Sequence, residues 1–438
     1  MYLIAGPRLC LSLSNPKLCP TIPYKGKETR IAKIKRVTEF DVVVAGGGPG
    51  GLSAAEAAAK AGARVLVLER NREIGSPART TGGTFIDDMK ALGIPETLYH
   101  PIRRCRFVSP NQSAAFDYAE PMACVLDIHG TFQYLAQRAI AAGAVVRVGS
   151  AAEAPVVTNG VVTGVRAKTV TGAQIEYGCK VLIDATGYRS QLLKQCGVSE
   201  GSRRFGVGAE YDLYAPMCDP DEVVLIVGSQ IAPSGYAWVA PWGRGRVRVG
   251  VGIIHDDSPE HPERYLEVLM EKAAEFGVNL KGAQPVEYHY GLIPSDGVME
   301  AFAGDGVLGV GDAAGHPSAL VGEGIRWAIW AGKMAGEVAG EAVPAGDRSK
   351  RFLKRFEERW NREHGRNLKI AAEINRRIAR WDDARWDRGT EMLKMLTPDE
   401  FAEALKSNFT AAWLMKVALK NPGLMREGLA RIGKMVAG

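Results

Sequence analysis

The stretch that decides the fold is Asp41-Val42-Val43-Val44-Ala45-Gly46-Gly47-Gly48-Pro49-Gly50-Gly51, an apolar run that leads directly into a glycine-rich turn. Residues 52–61 follow with a helical pattern, and a second apolar run ends at Glu69, 18 residues after Gly51. The order of strand, glycine turn, helix, strand and acid is typical of a dinucleotide-binding βαβ unit. The alternative is an ordinary glycine-rich turn between a strand and a helix.

Each glycine of this motif has its own task. Gly46 permits the tight turn, Gly48 lets the backbone approach a pyrophosphate, and Gly51 allows the helix to pack close to the sheet. The first amide groups of the helix then face the phosphates. Glu69 is placed to accept hydrogen bonds from both hydroxyls of an adenosine ribose.

The composition predicts a globular protein with a sizeable core, two intertwined domains and a tail. The chain has 438 residues, of which 46% are hydrophobic and 24% are charged. The sequence contains no run of 18 uninterrupted apolar residues, so we expect no transmembrane helix. The seven cysteines are scattered without metal-ligand spacing, so we expect a reducing, cytosolic setting without a disulfide framework, a zinc site or an iron–sulfur site.

The formal charge of +6 is concentrated in residues 1–38, which carry eight basic residues and one acidic residue, Glu28. The rest of the chain is close to neutral, which is not the composition of a nucleic-acid-binding protein. We expect residues 1–38 to form a basic, irregular N-terminal extension. It could be an organelle-targeting peptide, a flexible arm, or the product of a start codon placed too far upstream.

The pattern of elements predicts an α/β protein with a Rossmann-like domain, an inserted antiparallel β-sheet domain and a helical C-terminal tail. Residues 39–204 and 294–345 form the first domain, residues 205–293 the inserted domain, and residues 346–438 the C-terminal helices. Within the first domain we expect a helix over 135–142 and hairpin-forming strands over 144–178. In the inserted domain we expect a helix near 263–276.

A second strand-to-turn signal ends in Gly311-Asp312, and a helix begins beyond it near Gly324. An acid at the end of a buried strand can hold a flexible polyol. The N-terminus of the following helix can stabilise negative charge, such as that of a reduced flavin. In isolation, the signal would suit a strand-capping aspartate equally well.

Taken together, the motifs resemble the FAD-dependent fold of the glutathione-reductase class, in the branch shared by aromatic hydroxylases and geranylgeranyl reductases. The motifs are Gly46-x-Gly48-x-x-Gly51 with Glu69, then Asp184-Ala185-Thr186-Gly187, then Gly311-Asp312. Residues 234–243, Ser-Gly-Tyr-Ala-Trp-Val-Ala-Pro-Trp-Gly, are similar to the substrate-domain motif of the geranylgeranyl reductases. The resemblance covers residues 40–365.

The resemblance implies that residues 39–204 and 294–345 bind FAD and that residues 205–293 bind the substrate. No metal site is implied. The glycine loop before the helix at 325 would lie against the flavin pyrimidine. The implied cofactor-binding residues are Gly46, Gly48, Pro49, Gly50, Gly51, Glu69, Arg70, Arg79, Thr80, Gly187, Gly311, Asp312, Gly322, Gly324 and Ile325.

Tyr236, Trp238 and Pro241 are the candidate substrate-binding residues. In a strand, Tyr236, Trp238 and Ala240 point to one face and form a broad apolar wall on which a polyisoprenoid could lie across the flavin. The alternative is ordinary aromatic packing between two sheets. Ala240 stands where the family usually has Phe, which would widen the pocket.

The candidate proton donor is His316, because histidine titrates near neutrality and this one follows the Gly311-Asp312 motif. A structural turn histidine is the alternative. Some family members carry a cysteine in the loop over the flavin, whereas residues 79–83 here contain none, so the resemblance does not extend to thiol-dependent proton delivery. His129 stands where an arginine often contacts the FAD phosphates.

The C-terminal region combines apolar and basic residues. Phe352, Phe356 and Trp360 share one helix face and predict core packing. Residues 404–438 carry six basic residues and one acidic residue among apolar ones, which suits an interfacial helix on anionic lipid or a solvated basic hairpin. We therefore expect a cytoplasmic protein with peripheral membrane contact as an option.

The function that the resemblance implies is FAD-dependent reduction of isolated C=C bonds in geranylgeranyl-type chains, in a prenyl lipid or a prenyl diphosphate. Since there is no second glycine fingerprint, we expect the electrons to come from transiently bound NAD(P)H or from a redox protein such as ferredoxin. The alternatives are a flavin-dependent monooxygenase, hydroxylase or halogenase, a redox-neutral flavin-dependent cyclase, and a non-catalytic prenyl carrier.

Overall fold

The computed structural model describes residues 35–37 and 39–420. Most of the expected N-terminal extension and residues 421–438 of the expected basic tail lie outside the described residues. The expectation of an irregular lead-in is wrong for Lys35–Val37, which forms a strand paired in parallel with Gln174–Gly178. The reason is that the edge of a sheet offers unpaired backbone groups to any extended segment that reaches it.

The glycine motif lies at the end of a six-stranded sheet of the expected Rossmann-like type. Five strands run parallel, and the short strand at one edge is antiparallel to its neighbour. All side chains of the three central strands are buried, as expected for a sheet covered on both faces. In spatial order the strands are Ala303–Gly304, Val307–Gly309, Val181–Asp184, Val42–Ala45, Val65–Leu68 and Val145–Arg147.

Two helices beside this sheet pack closely against each other because small residues line the contact between them. The helix Pro49–Lys60 crosses Ile325–Ala345, where a Cβ at Gly332 would stand 2.1 Å from the carbonyl oxygen of Gly50. The helix expected near residues 135–142 is longer, Ile128–Ala141, because Asp127 caps it by accepting a hydrogen bond from the Gly130 amide.

Two smaller sheets flank the parallel sheet. The expected hairpin strands form one of them, except that Val145–Arg147 belongs to the parallel sheet. The four-stranded sheet contains Lys35–Val37, Gln174–Gly178, Val161–Thr169 and Ser150–Thr158. The three-stranded sheet contains Gly83–Phe85, Ala123–Leu126 and Tyr99–Ile102. The remaining short helices of this half are Ile86–Ala91, Gln191–Gln195 and the 3₁₀ turns Glu96–Leu98 and Gly311–Ala314.

The inserted antiparallel domain is built on a seven-stranded sheet. Two of its strands come from residues 104–117, a part of the chain that the sequence assigned to the first domain. Its strands are, in order, Gln284–Pro294, Phe205–Tyr214, Arg246–Ile254, Ala232–Gly243, Glu222–Gly228, Arg104–Val108 and Ser113–Asp117. The helix Pro262–Lys272, extended by a 3₁₀ turn to Phe276, covers one face with Leu266 and Leu269 in a separate core.

The C-terminal helices begin with Lys350–Trp360, whose Phe356 and Trp360 are fully buried, so the expected core packing is confirmed. A short π-helical turn, Asn361–Gly365, connects it to the next helix. The helices that follow are Arg366–Ile378, Asp383–Leu393, Pro398–Leu405 and Ala411–Lys420. No described helix is long and apolar enough to cross a membrane.

Candidate active site

A cavity of about 810 Å³ lies where the parallel strands end against the open face of the seven-stranded sheet. The glycine motif lines one end, and the last helices of the chain line the other. Crevices at the carboxyl ends of parallel strands are the usual ligand sites of open α/β sheets. The cavity therefore joins the expected cofactor and substrate regions into one site.

The glycine turn has the shape that a pyrophosphate requires. Gly46 has φ +118°, and a Cβ there would stand 2.2 Å from the Ala185 carbonyl oxygen. A Cβ at Gly51 would stand 2.1 Å from the Gly46 carbonyl oxygen, whereas a Cβ at Gly48 would meet no atom within 4 Å. Gly46 and Gly51 are thus required by the fold, while the space beside Gly48 is open to a ligand.

Glu69 lies beside this turn, at the end of the second strand. Its carboxylate accepts hydrogen bonds from the Gly47 amide at 2.8 Å and the Asn71 amide at 2.7 Å. Pro49, Gly50, Arg70, Arg79 and Thr80, which are among the predicted cofactor-binding residues, also line the cavity. His129 is not among the lining residues; its Nε2 instead contacts Glu73 Oε1 at 2.8 Å.

Asp312 faces the cavity from the turn after the strand Val307–Gly309. Burial raises the pKa of its carboxyl group to about 6. A ligand hydroxyl donating to this carboxylate would offset the cost of burying its charge. Gly187, Gly311, Gly322, Gly324 and Ile325 line the same region. Asp184, by contrast, caps the short helix after it by accepting from the Leu192 and Leu193 amides at 2.9 Å.

Glu323 and Arg326 form a buried ion pair at this end of the cavity, with Arg326 Nε 2.7 Å from Glu323 Oε2. Arg326 also donates to the Lys406 carbonyl oxygen at 2.7 Å. The pair therefore fastens the C-terminal helices to the glycine loop at Gly322.

Glycines form the floor of the cavity on the seven-stranded sheet. Gly208 pairs with Gly252 on one side and Gly291 on the other, and all three line the cavity. One row further, the indole of Trp238 lies over Gly250, where a Cβ would stand 2.4 Å from Cζ2. The sheet thus offers a flat surface with the Trp238 ring at its border.

Tyr236 and Trp238 both line the cavity, and their polar ends are bonded. The Tyr236 hydroxyl donates to the Val321 carbonyl oxygen, which ties the sheet to the glycine loop. Ala240 also lines the cavity, on the same face as expected. Pro241 is buried but is not among the lining residues, because it points to the opposite face of the strand.

A polar network that the sequence analysis did not single out lies beside Trp238. Glu210 is 3% exposed and accepts hydrogen bonds from Trp238 Nε1 at 2.7 Å and from the Thr81 hydroxyl. His289 Nδ1 lies 2.9 Å from Glu210 Oε1, and its Nε2 lies 3.0 Å from Glu287 Oε2. The available signal was the alternation Gly206-x-Gly208-x-Glu210, which puts an acid on the glycine face of a buried strand.

His316, the candidate proton donor, is fully buried and is not among the residues that line the cavity. Its Nδ1 accepts a hydrogen bond from the Gly311 amide at 3.1 Å, and its ring packs against Phe302, Phe356 and Trp360. Burial lowers its pKa to about 3, so the ring stays neutral. This environment favours the structural alternative.

The C-terminal helices close the cavity with apolar side chains. The helices and the segments that connect them contribute Ile374, Ile378, Trp381, Trp386, Met392, Leu393, Leu396, Phe401, Leu405, Phe409, Trp413 and Val417. Phe409 and Val417 are buried, so these apolar residues of the expected interfacial segment face the interior. The wall is fixed by polar contacts, including Asp387 with the Ser109 hydroxyl at 2.7 Å and the Asn111 side chain at 2.7 Å.

The comparisons with known proteins identify the family of the chain. The family model of FAD dependent oxidoreductases matches residues 41–208, and the model of the geranylgeranyl reductase catalytic domain matches residues 206–292. The chain is an FAD-dependent oxidoreductase, and it belongs to the geranylgeranyl reductase family. The fold and the family expected from the sequence are both confirmed.

One curated relative and two solved structures are similar to the chain. The chain is 36% identical to digeranylgeranylglycerophospholipid reductase 2 of Methanothermobacter thermautotrophicus, over 75% of this chain and 85% of that protein. A geranylgeranyl bacteriochlorophyll reductase-like protein of Thermoplasma acidophilum has a TM-score of 0.81 and 25% identity, over 91% of this chain and 100% of that one. A flavin-dependent brominase has a TM-score of 0.67 and 18% identity, over 89% and 99% of the two chains, which shows the fold alone.

Proposed function

We propose that the protein reduces isolated C=C bonds of a geranylgeranyl-type chain carried by a prenyl lipid. The observation that carries this proposal is the continuity of the cavity, which runs from the glycine turn, across the glycine floor, to the apolar wall of the C-terminal helices. An isoprenoid has no polar group along its chain, so its binding depends on burial of apolar surface. The relatives named as digeranylgeranylglycerophospholipid reductases support this substrate class.

FAD would be held by residues that have distinct tasks. The amides at the helix start and the space beside Gly48 fit the pyrophosphate, Glu69 the adenosine ribose, and Asp312 the polyol. Gly322 and Gly324 allow the backbone of their loop to approach a flat ring. Reduced FAD supplies a hydride to the substrate when it is bound.

The protein side of the reaction is positioning and exclusion of water. Trp238 and Ala240 border the floor on which the alkene would lie, and Tyr236 holds the glycine loop in place. Trp413 closes the opposite side and is fixed by its Nε1, which donates to the Glu400 carbonyl oxygen at 2.9 Å. An alkene held in one orientation against a hydride donor reacts with much of the entropy cost already met.

The proposal also includes an external electron donor and contact with a membrane surface. NAD(P)H or a small redox protein would reduce the flavin from outside. The helix Ala411–Lys420 leaves Met415 and Leu419 65% and 77% exposed beside Lys416 and Lys420, a mixture suited to an anionic lipid surface. The same helix lines the cavity through Trp413 and Val417, so a lipid substrate could enter from that surface.

The test is an anaerobic reaction of the dithionite-reduced holoenzyme with a digeranylgeranyl phospholipid, followed by mass spectrometry of the lipid. We expect each reduced double bond to add the mass of two hydrogens while the flavin reoxidises. Ala240→Phe should slow this reaction without changing the FAD content, because the ring would fill space at the floor. An unchanged lipid mass together with oxygen-dependent conversion of an aromatic substrate would instead establish the hydroxylase or halogenase alternative.

A further inference from the structure

We propose that Glu210 and His289 supply the proton of the reaction, drawing it from solvent through Glu287. The proposal rests on the proposed function, because reduction of an isolated C=C bond needs one proton for every hydride. It names the donor that the sequence left open and replaces His316 in that role.

Glu210 and His289 lie next to each other at the edge of the cavity. Glu210 and His289 are direct partners on neighbouring strands, and both side chains line the cavity. They lie in the row next to Gly208 and Gly291, at the border of the glycine floor. Their side chains are only 4% and 5% exposed, so both groups are shielded from bulk solvent.

The hydrogen bonds of His289 also favour a role in proton transfer. Both ring nitrogens lie within 3.0 Å of carboxylate oxygens, which only accept hydrogen bonds when ionised. A neutral imidazole has a single N–H, whereas the imidazolium has two and satisfies both carboxylates. The geometry therefore suits a ring that carries a proton between Glu287 outside and Glu210 inside.

The route to solvent is short. Glu287 is 53% exposed, while His289, two residues further along the same strand, is buried. A proton accepted at Glu287 can thus reach the cavity by passing through one imidazole ring. Tyr288, which lies between them in sequence, points to the other face of the sheet and donates to Glu263 at 3.2 Å.

The groups around His289 shift its pKa in both directions. Burial lowers the pKa of His289 and the Arg248 guanidinium lowers it further, but hydrogen bonds to Glu210 and Glu287 outweigh them and raise it overall. Arg248 is itself paired with Asp212, with Nε to Oδ2 at 3.3 Å. Arg246 also contacts Asp212, at 2.9 Å, and reaches Glu287 at 3.8 Å.

The release of the proton into the cavity needs one rotation. Glu210 Oε2 accepts from Trp238, which can only donate, and from the Thr81 hydroxyl, which can donate or accept. When His289 transfers its Nδ1 proton to Glu210 Oε1, that proton first faces the imidazole. Rotation of the carboxyl group turns the new O–H away from the ring, and the Thr81 hydroxyl can turn and accept from it. The carboxylic acid of Glu210 is then free to protonate a carbon above the glycine floor.

The reaction needs one hydride and one proton for each alkene. The π bond of the alkene breaks, and a C–H bond forms at each carbon, one with the hydride from reduced FAD and one with the proton from Glu210. The alkene is reduced, and the flavin is oxidised by the same two electrons. His289 then reprotonates Glu210 and is itself reprotonated from solvent through Glu287, so each cycle consumes one solvent proton.

The experiment is a single-turnover measurement with dithionite-reduced holoenzyme and a digeranylgeranyl phospholipid, in which flavin reoxidation and lipid mass are followed across pH. We expect the wild-type rate to fall as pH rises through the raised pKa of His289. His289→Gln and Glu210→Gln should be slower by about 10²-fold or more, the usual contribution of a general acid, and should lose this pH dependence. Tyr288→Phe, on the other face of the same strand, should match the wild type.

Glu287→Gln changes an exposed residue, so its effect on the rate is separate from any effect of substituting a buried side chain. Because it removes one of the two carboxylates that raise the pKa of His289, it should shift the fall in rate to lower pH. FAD content and the rate of dithionite reduction should be unchanged in every variant. If His289→Gln keeps the wild-type rate and pH profile, or if Glu287→Gln leaves the profile in place, the proton route is refuted. A wild-type enzyme that never changes the lipid mass refutes the proposed function, and the proton route with it.

Discussion

Three glycines of the seven-stranded sheet, two on the floor of the cavity and one beneath the indole, allow a graded test of how Trp238 is positioned. A Cβ added at Gly250 would stand 2.4 Å from the Trp238 ring, one at Gly252 3.2 Å from it, and one at Gly208 3.8 Å from it. All three residues lie in extended strands of the same sheet. Replacing each by alanine therefore adds the same methyl group at three different distances from one indole.

The distances set the expected free energies of unfolding. At Gly250 the ring must move, which costs about 1–3 kcal/mol as overpacking, and the 2.7 Å hydrogen bond from Trp238 to Glu210 is lost with it. We expect a total loss of about 3 kcal/mol. At Gly252 a shift of a few tenths of an ångström suffices, for a cost of about 1 kcal/mol. At Gly208 the contact is ordinary, and the lower entropy of the unfolded chain offsets any cost, for a change within about 0.5 kcal/mol.

The assay is urea unfolding of the three variants at one fixed FAD concentration, since bound FAD adds to stability by mass action. Trp238→Ala combined with Gly250→Ala completes a double-mutant cycle. Removal of the indole should relieve the clash, and since both parts of the Gly250→Ala cost act through Trp238, we expect a coupling energy of about 3 kcal/mol. Equal midpoints for the Gly250 and Gly208 variants, or strictly additive effects in the cycle, would refute the placement of the ring.

Three further predictions follow from the cofactor end of the cavity. Gly48→Ala should unfold like the wild type but bind FAD about tenfold more weakly, whereas Gly51→Ala should lose about 3 kcal/mol of stability; thermal unfolding and FAD titration separate the two effects. Because burial raises the pKa of Asp312 to about 6, its ionisation destabilises the flavin-free fold progressively from about pH 4 to pH 6. Flavin-free Asp312→Asn should therefore be more stable than the wild type above pH 6, by up to about 3 kcal/mol, while binding FAD less tightly. Arg326→Leu leaves Glu323 buried without its partner and should cost about 3–5 kcal/mol, and Glu323→Gln in the same chain should restore part of that loss in urea unfolding.

The parts of the fold that the sequence predicted are those specified by local signals. The glycine turn, the acid at position 69 and the helix after Gly324 each follow from a few neighbouring residues with a fixed conformational need. The closure of the cavity by the last helices rests instead on contacts such as Asp387 with Ser109, which are 278 positions apart. No local pattern specifies which face of an amphipathic helix meets a distant sheet, so the segment after residue 404 suited a membrane surface as well as a cavity wall.

The same distinction applies within the site. Tyr236 and Trp238 were predicted from the resemblance of residues 234–243 to the reductase motif, and their spacing of two in a strand puts both rings on one face. Glu210 and His289 were not, since they are 79 positions apart and become partners only through the register of two strands. His316 had the right residue type beside the right motif, but three aromatic rings enclose it.

The polar network on the cavity face is not explained by stability. Burying the charges of Glu210 and His289 costs desolvation energy, and apolar residues of similar volume would make an equally good or better wall for an isoprenoid. A carboxylate and an imidazole at the border of the glycine floor therefore imply a task that apolar residues cannot perform. Since a flavin-dependent brominase shares the fold, the fold itself does not select the chemistry. That selection falls to the few side chains that meet the substrate, and proton transfer is the task for which these two are equipped.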